Sequence, residues 1–240
     1  MTSRRALVVA TLVSILVGSF VPFGSILLYP FTLLATWVHE MGHGLTAIVV
    51  GGRFDHLEIF ADASGLATTS HPAGAHALAA WIALGGLVAP PIVGAVVLGT
   101  ARGPRRAQIV LVTFAIALLA SLVVWVRSFT GFLAVPLVAA LVIVFVRWGG
   151  PRERMFLAQF VGLRLALDTV GRGMDYIFTD SATIGGVKRA SDIVSVAEGF
   201  GGPRIVWSVV VAAFCLCCVA TGLWLAWRAR AERRTTHRSF

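Results

Sequence analysis

Three residues in one short segment have the types and spacing of a metal-dependent hydrolase. His39 and His43 lie four residues apart, so on a helix both imidazoles project from one face and can share a tetrahedral zinc ion. Glu40 lies beside them, where its carboxylate can take a proton from an attacking water. The same HExxH pattern also arises by chance in helices whose histidines only face neighbouring side chains. Its meaning depends on the surroundings of the segment.

The surroundings are apolar. Residues 27–50 are long enough to cross a bilayer as one helix, for which about 20 residues suffice. Ionisable side chains at membrane depth are costly unless they are paired or bind a metal. The context therefore favours a zinc site with His39 and His43 as ligands and Glu40 as general base, in an intramembrane zinc protease.

The composition places the whole chain in a membrane. Of its 240 residues, 58% are hydrophobic and only 13% are charged, whereas about 25% charged residues are usual in globular proteins. The net charge of +9 comes almost entirely from arginines at the ends of apolar runs. That pattern is typical of topology signals and excludes the basic face of a nucleic-acid-binding domain. We predict an integral protein of a bacterial plasma membrane, in contact with the lipid bilayer and without a nucleic-acid partner.

The apolar runs predict an all-α polytopic membrane protein with about six transmembrane helices. These runs cover residues 6–26, 29–51, 107–126, 130–147, 154–170 and 204–227. A further run, 75–100, contains Gly85-Gly86 and Pro90-Pro91, which indicates either a kinked span or a re-entrant hairpin. The hairpin puts every arginine cluster on one side, as the positive-inside rule prefers. We therefore expect a re-entrant segment and cytoplasmic location of both termini.

Two stretches are predicted not to span the membrane, and the second of them to lie outside it, within one integral domain of residues 1–240. Residues 53–72 alternate polar and apolar side chains around a turn-like tetrad, Asp62 to Gly65, which predicts a small β-hairpin. Residues 171–203 are polar and glycine-rich, and we expect one short helix there that begins at Ser191 or Asp192.

These blocks resemble the M50B-like peptidases, relatives of the site-2 intramembrane metalloproteases. The resemblance is carried by His39 to His43, the Gly51-Gly52 pair, the Asp62 to Gly65 turn, the block from Gly85 to Gly94, and Ser191-Asp192 with Pro203 and Trp207 downstream. It implies a zinc site in the membrane, with His39 and His43 as ligands and Glu40 as base. It also implies that the hairpin pairs with an unwound substrate strand. The motif that supplies the third ligand in site-2 proteases is absent as such.

The third zinc ligand therefore has several candidates. Asp168 lies in a segment, LALDTVGR, that is similar to the site-2 LDG element. With a re-entrant segment, His39 and Asp168 lie about 18 and 20 Å from the cytoplasmic ends of their helices, at nearly the same depth. Asp168 is therefore our first choice, although it could instead pair with Arg164 one helical turn away. Asp192, in the Ser191-Asp192 block, is the alternative.

Other carboxylates are weaker candidates for this ligand. Glu58 lies in the predicted hairpin, where an exposed strand carboxylate is the simpler interpretation, and Asp175 and Asp180 lie in the polar segment.

The sequence predicts hydrolysis of a peptide bond in or near a transmembrane segment of a membrane protein or peptide substrate. Two other functions stay open. A membrane zinc-binding scaffold or chaperone would be favoured by an unfilled third-ligand position. A proton- or ion-coupled transporter should have paired broken helices, and only the run near Pro90 suggests one. Nothing in the sequence indicates an oligomeric state.

Overall fold

The computed structural model describes residues 3–228, which are mostly helical. The helices are α1 (Ser3–Phe20), α2 (Gly24–Val49), α3 (His76–Thr100), α4 (Pro104–Val124), α5 (Phe129–Trp148), α6 (Pro151–Asp168), α7 (Met174–Phe178), α8 (Asp192–Phe200) and α9 (Arg204–Arg228). A π-helical segment, Thr169–Gly173, joins α6 to α7. Two antiparallel hairpins complete the fold, β1 (Arg53–Ile59) with β2 (Gly65–Ser70), and β3 (Ser181–Ile184) with β4 (Val187–Ala190).

The β1–β2 hairpin confirms the prediction for residues 53–72 and runs back along α2. Its tip is held by the Tyr29 hydroxyl, which donates to the Ala61 carbonyl at 2.8 Å. The outer edge of β1 is occupied, because the Leu57 amide donates to the Trp125 carbonyl at 2.8 Å and the Leu57 carbonyl accepts from the Arg127 amide at 2.9 Å. The other outer edge of the sheet belongs to β2 and faces α2, where the Ala67 amide donates to the Glu40 side chain.

The polar segment between α6 and α9 is more ordered than the sequence predicts. The short helix begins at Asp192, with Ser191 as its N-cap residue, as expected. The β3–β4 hairpin is an element that the sequence analysis missed. Its turn is Gly185-Gly186, and both glycines have left-handed φ angles of 55° and 78°, as primed two-residue turns require.

Four helices are long and apolar enough to cross a membrane, judged by length and composition: α3, α4, α5 and α9. The predicted number of six spans is therefore not confirmed. The runs predicted at 6–26, 29–51 and 154–170 correspond to α1, α2 and α6, which are not among these four. In α6 the reason is composition, because its 18 residues include five charged ones.

The predicted re-entrant hairpin is wrong, because residues 76–100 form one continuous helix. Pro90 and Pro91 lie inside it, and a proline at position 91 cannot donate to the Leu87 carbonyl one turn earlier. The fully buried Cys215 thiol of α9 donates to that carbonyl at 3.8 Å. Tertiary packing thus replaces a missing helical hydrogen bond, which allows the proline pair inside a span.

The arginine-rich helix ends lie together although α3 does not turn back. The Arg4 guanidinium lies 3.5 Å from the centre of the Trp227 ring, which joins the start of α1 to the end of α9. Near that end of α9, Leu225 packs against Gly99 of α3.

The beginnings of α4 and α6 belong to the same end. Arg154 donates to the Gln108 side chain at 2.7 Å, and the Gln159 amide donates to the Ala101 carbonyl at 2.8 Å. The clusters that begin at Arg4, Arg102 and Arg147 are therefore on one side. The predicted location of the C-terminus concerns residues after 228, which lie outside the described part of the chain.

The direction of α2 corrects the expected topology. The His43 ring contacts the Ile82 carbonyl, and the Phe31 ring lies 4.7 Å from Phe160 of α6, so α2 runs antiparallel to α3 and begins at the arginine-rich end. The sequence analysis expected the end of α2, near Gly51, on the arginine-rich side, but it lies on the opposite side. The error arose because the sequence analysis counted α1 as a crossing. In the structure α1 starts beside Trp227 and ends beside the first residue of α2, where Gly24 lies against Val17, and both places are at the arginine-rich end.

Single cysteines test this arrangement. In a variant whose three native cysteines are replaced by alanine, Gly103→Cys and Arg152→Cys should react with an impermeant maleimide from one side of the membrane. Ala73→Cys, just before α3, should react only from the other side, because α3 crosses once. All three positions are open or exposed in the structure. Labelling of all three from the same side would contradict a continuous spanning α3.

Candidate active site

Three side chains converge between α2 and α8. The Nε2 atoms of His39 and His43 are 3.0 Å apart, and Asp192 Oδ2 lies 3.2 Å from the first and 3.3 Å from the second. Bonds of about 2.0–2.2 Å to a tetrahedral zinc place neighbouring ligand atoms roughly 3.3 Å apart or slightly more. In the described part of the chain, this is the group of histidine and carboxylate side chains whose ligand atoms lie close enough to hold a metal.

The orientation of His43 shows that this cluster needs a proton or a metal ion among its members. Its Nδ1 lies 2.8 Å from the Ile82 carbonyl, which can only accept, so Nδ1 carries the proton. The Nε2 lone pair of a neutral His43 then faces His39 and the Asp192 carboxylate. Three acceptors this close repel one another unless a proton or a metal ion lies among them. The donor set of two imidazoles and one carboxylate is one that zinc accepts.

A glycine of α3 makes room for the His43 ring. A Cβ atom at Gly86 would overlap the Nε2, Cε1 and Cδ2 atoms of His43. The neighbouring Gly85 packs against Thr46, and a Cβ at Gly42 would lie 2.6 Å from the Ala89 side chain. The close approach of α2 and α3 at this level therefore needs glycines on both helices.

Glu40 is buried beside the cluster but is not part of it. Its Oε2 accepts a hydrogen bond of 2.7 Å from the Ala67 amide on the outer edge of β2. Gly65 of the same hairpin lies so close that a Cβ there would be 2.6 Å from Glu40 Cγ. The first hairpin thus holds the Glu40 carboxylate in place, with 6% of the residue exposed.

The turn from Asp62 to Gly65 is built to bring the hairpin against α2. Asp62 Oδ1 accepts hydrogen bonds from the Ser64 amide at 2.9 Å and the Ser64 hydroxyl at 2.6 Å. These bonds lower the pKa of the Asp62 carboxyl below its usual value. Ala63 adopts a left-handed φ of 62°, and its carbonyl accepts from the Thr36 hydroxyl at 2.6 Å.

Asp192 reaches the cluster because it is the first residue of α8. The preceding Ser191 is buried and its hydroxyl donates to the Thr179 carbonyl at 2.6 Å, which fixes the start of the helix. Burial would raise the pKa of Asp192, but where a proton and not a metal ion lies in the cluster, the charge of protonated His43 and hydrogen bonds from both histidines outweigh it and hold the pKa well below its usual range. The carboxylate is therefore anionic, as a metal ligand must be.

The cluster opens into a cleft that the second hairpin covers. Ala182, Ile184 and Ala190 of this hairpin line the cleft together with His39 and Glu40. The Gly185 amide at its tip donates to the Ser64 hydroxyl at 3.0 Å, so the two hairpins touch at their turns.

The structure places the predicted site residues unequally. His39 and His43 come together as expected, and the alternative ligand Asp192 joins them. Asp168, our first choice for the third ligand, lines the same cleft at the start of the π-helical segment but is not among the three converging groups. Equal depth along two helices does not determine which way a side chain points around its helix axis, so the depth argument could not separate Asp168 from Asp192.

The weaker candidates lie elsewhere. Glu58 in β1 has its Oε2 3.9 Å from His56 Nε2, Asp180 forms an ion pair of 2.7 Å with Arg204, and Asp175 lies in α7. Two groups that shape the site escaped the sequence analysis, the Ile82 carbonyl and the Ala67 amide. Backbone groups leave no residue-type signal, although the glycines opposite them, Gly86 and Gly65, lie in the blocks that carried the resemblance.

Comparison with known proteins gives one match. A family model described as Peptidase M50B-like matches residues 6–222, a range that includes every residue of the cluster and both hairpins. The comparisons with curated proteins and with solved structures gave no match.

Gly86→Ala tests the packing that holds His43. The added methyl group overlaps the imidazole, so the ring must rotate out of the cluster, and zinc affinity should fall by about 10- to 100-fold, as for loss of an outer-shell partner. Gly99→Ala in the same helix is the control, because its nearest new contact is the flexible end of Leu225 at 3.0 Å. Titration with a zinc-buffered competitor measures both variants. Equal affinities would show that Gly86 does not position His43.

Proposed function

Because this chain belongs to the Peptidase M50B-like family, we propose that it is an intramembrane zinc metalloprotease that cleaves a peptide bond in or near a transmembrane segment of a membrane protein. One observation carries the proposal. Two histidines and an aspartate converge within 3.0–3.3 Å of one another, beside a buried glutamate that is not one of them.

The proposed zinc ligands are His39, His43 and Asp192. Three protein ligands leave one coordination position for water or substrate, the arrangement of catalytic and not of structural zinc sites. When bound, zinc supplies acidification of water and polarisation of the scissile carbonyl. Asp168 remains in the cleft as a residue that a bound substrate can contact.

Glu40 is proposed as the general base. An attacking water loses its proton to the Glu40 carboxylate, which then returns that proton to the leaving amine. Two features of the chain support this role. Burial keeps bulk water from competing, and the bond from the Ala67 amide to Oε2 fixes the carboxylate against rotation.

The outer edge of β2 is proposed as the surface that receives the substrate. A transmembrane helix must unwind before cleavage, because its carbonyls are hydrogen-bonded, and an unwound segment needs new partners in the membrane. The outer edge of β1 is occupied by residues 125–127, whereas in the described chain the outer edge of β2 pairs with no strand and adjoins the cleft at Gly65. The Ala67 amide on this edge is already bonded to Glu40, so an extended substrate can pair by strand addition with the part of the edge beside it, next to Gly65.

The position of the cluster along α2 agrees with cleavage inside the membrane. His39 is 15 residues from the start of α2 at Gly24 and 10 from its end at Val49, or about 22 and 15 Å at 1.5 Å per residue. The shared arginine-rich end is proposed to face the cytoplasm, in accord with the positive-inside rule. The opposite side then carries the loop between β2 and α3.

The competing functions lose support. The argument for a non-proteolytic scaffold was an unfilled third-ligand position, and Asp192 provides a candidate for it. A transporter should have paired broken helices, and the single candidate, the run near Pro90, is a continuous helix.

Glu40→Gln tests the proposal. The amide cannot accept the proton, so cleavage should fall by at least about 10²-fold, while the three ligands and the zinc content stay unchanged. The readout is mass spectrometry of new N-termini in membranes of cells that express each variant, which needs no known substrate. Glu58→Gln, a matched change in the first hairpin, should behave like the wild type. Identical N-termini from the wild type and from the Glu40→Gln variant, both loaded with zinc, would reject the proteolytic function.

A further inference from the structure

A groove on the surface of α4 and α5 is separate from the cleft. Its volume is about 490 Å³, within the range of about 300–1,000 Å³ that small-molecule sites occupy. Its apolar part is formed by Val112, Ile116 and Leu119 of α4 with Ile143 of α5. Its polar end is formed by Gln108, Arg147 and Arg154.

The polar end contains a guanidinium group with an unsatisfied donor. Arg154 donates through Nη1 to Gln108 at 2.7 Å, but its Nε is buried and has no hydrogen-bond partner. A buried N–H without an acceptor costs about 1–3 kcal/mol. A phosphate oxygen would remove that cost once the guanidinium turned this buried donor toward the groove.

No carboxylate in the described chain neutralises these two arginines. Neither Arg147 nor Arg154 forms a salt bridge with a described residue. The neighbouring Glu153 turns toward its own backbone instead, where a Cβ on Gly150 would lie 2.6 Å from its Oε2. The polar end thus presents two positive charges with free donors, the arrangement that binds phosphate oxygens in a fork geometry.

The dimensions of the apolar part fit a hydrocarbon chain and not a helix. From Gln108 to Leu119 the groove follows 11 residues of α4, or about 16 Å. A helix of that length is about 10 Å across and occupies more than about 1,000 Å³, which is twice the groove volume. A single acyl chain is narrow enough to lie along α4 and α5.

We propose that this groove binds one anionic phospholipid, with its phosphate on Arg147 and Arg154 and one acyl chain along Val112, Ile116 and Ile143. Both arginines lie at the arginine-rich end, which is the side where anionic headgroups are enriched if that end is cytoplasmic. Basic pockets between transmembrane helices on that side are known to take such headgroups. The proposal is independent of the proteolytic function.

The test uses the full-length protein after removal of bound lipid in mild detergent. Binding of a spin-labelled phosphatidylglycerol is compared with that of a phosphatidylcholine with identical chains. We expect about 30-fold tighter binding of phosphatidylglycerol, since two such charges contribute about 1 kcal/mol each, and loss of this preference in Arg147→Gln/Arg154→Gln. The control Arg105→Gln/Arg152→Gln removes the same charge from exposed positions at the same end and should keep the preference.

A second variant tests the binding of the acyl chain separately from the binding of the phosphate. Ile143→Trp fills the groove without changing the arginines, so it should weaken binding of both lipids and leave the unfolding temperature unchanged. The proposal fails if the two lipids bind equally, if both double variants lose the preference equally, or if millimolar inorganic phosphate displaces the lipid completely. It also fails if native mass spectrometry shows a dimer, lost in Ile143→Trp, in place of lipid adducts.

Discussion

The close contact between α2 and α3 is the interaction on which the site depends. Lipid provides no hydrophobic driving force between helices, so helices in membranes associate through small residues that let their backbones approach. Gly42 on one helix and Gly85 and Gly86 on the other allow this approach. It brings the Ile82 carbonyl to His43 and fixes the ring nitrogen that faces the cluster.

The same contact also determines where the third member of the cluster, the Asp192 carboxylate, comes from. The short helix α8 packs on α3, where Gly199 lies directly against the His76 carbonyl and Ala80. This packing places Asp192, at the start of α8, next to the face of α3 that contacts His43. The second hairpin, which precedes α8, also lines the cleft and contacts the first hairpin at its turn. The α2–α3 pair thus positions the proposed ligands His39 and His43 directly, and it positions Asp192 through α8, which packs on α3.

The sequence predicted those parts of the site that depend on local spacing. The i,i+4 histidines, the hairpin turn at Asp62 and the start of a helix at Asp192 are all short-range patterns, and the structure contains each of them. The choice between Asp168 and Asp192 depended on long-range packing that no local pattern encodes. The proline pair led to the wrong prediction of a re-entrant hairpin for the same reason. The Cys215 thiol, which replaces the hydrogen bond lost at Pro91, lies 128 residues along the chain from the carbonyl that it contacts. The positive-inside rule, in contrast, predicted that the clusters beginning at Arg4, Arg102 and Arg147 share one side, and the structure brings these three to the same end.

The most direct test of the central claim is the zinc content of two matched variants, Asp192→Asn and Asp168→Asn, purified without chelators and measured by elemental analysis. Each change removes one negative charge from the same cleft. The wild type and Asp168→Asn should carry about one zinc per chain. Asp192→Asn should lose most of it, because a neutral amide replaces the anionic ligand. Full zinc content in Asp192→Asn together with loss in Asp168→Asn would contradict the proposed centre, and the third ligand would then be Asp168.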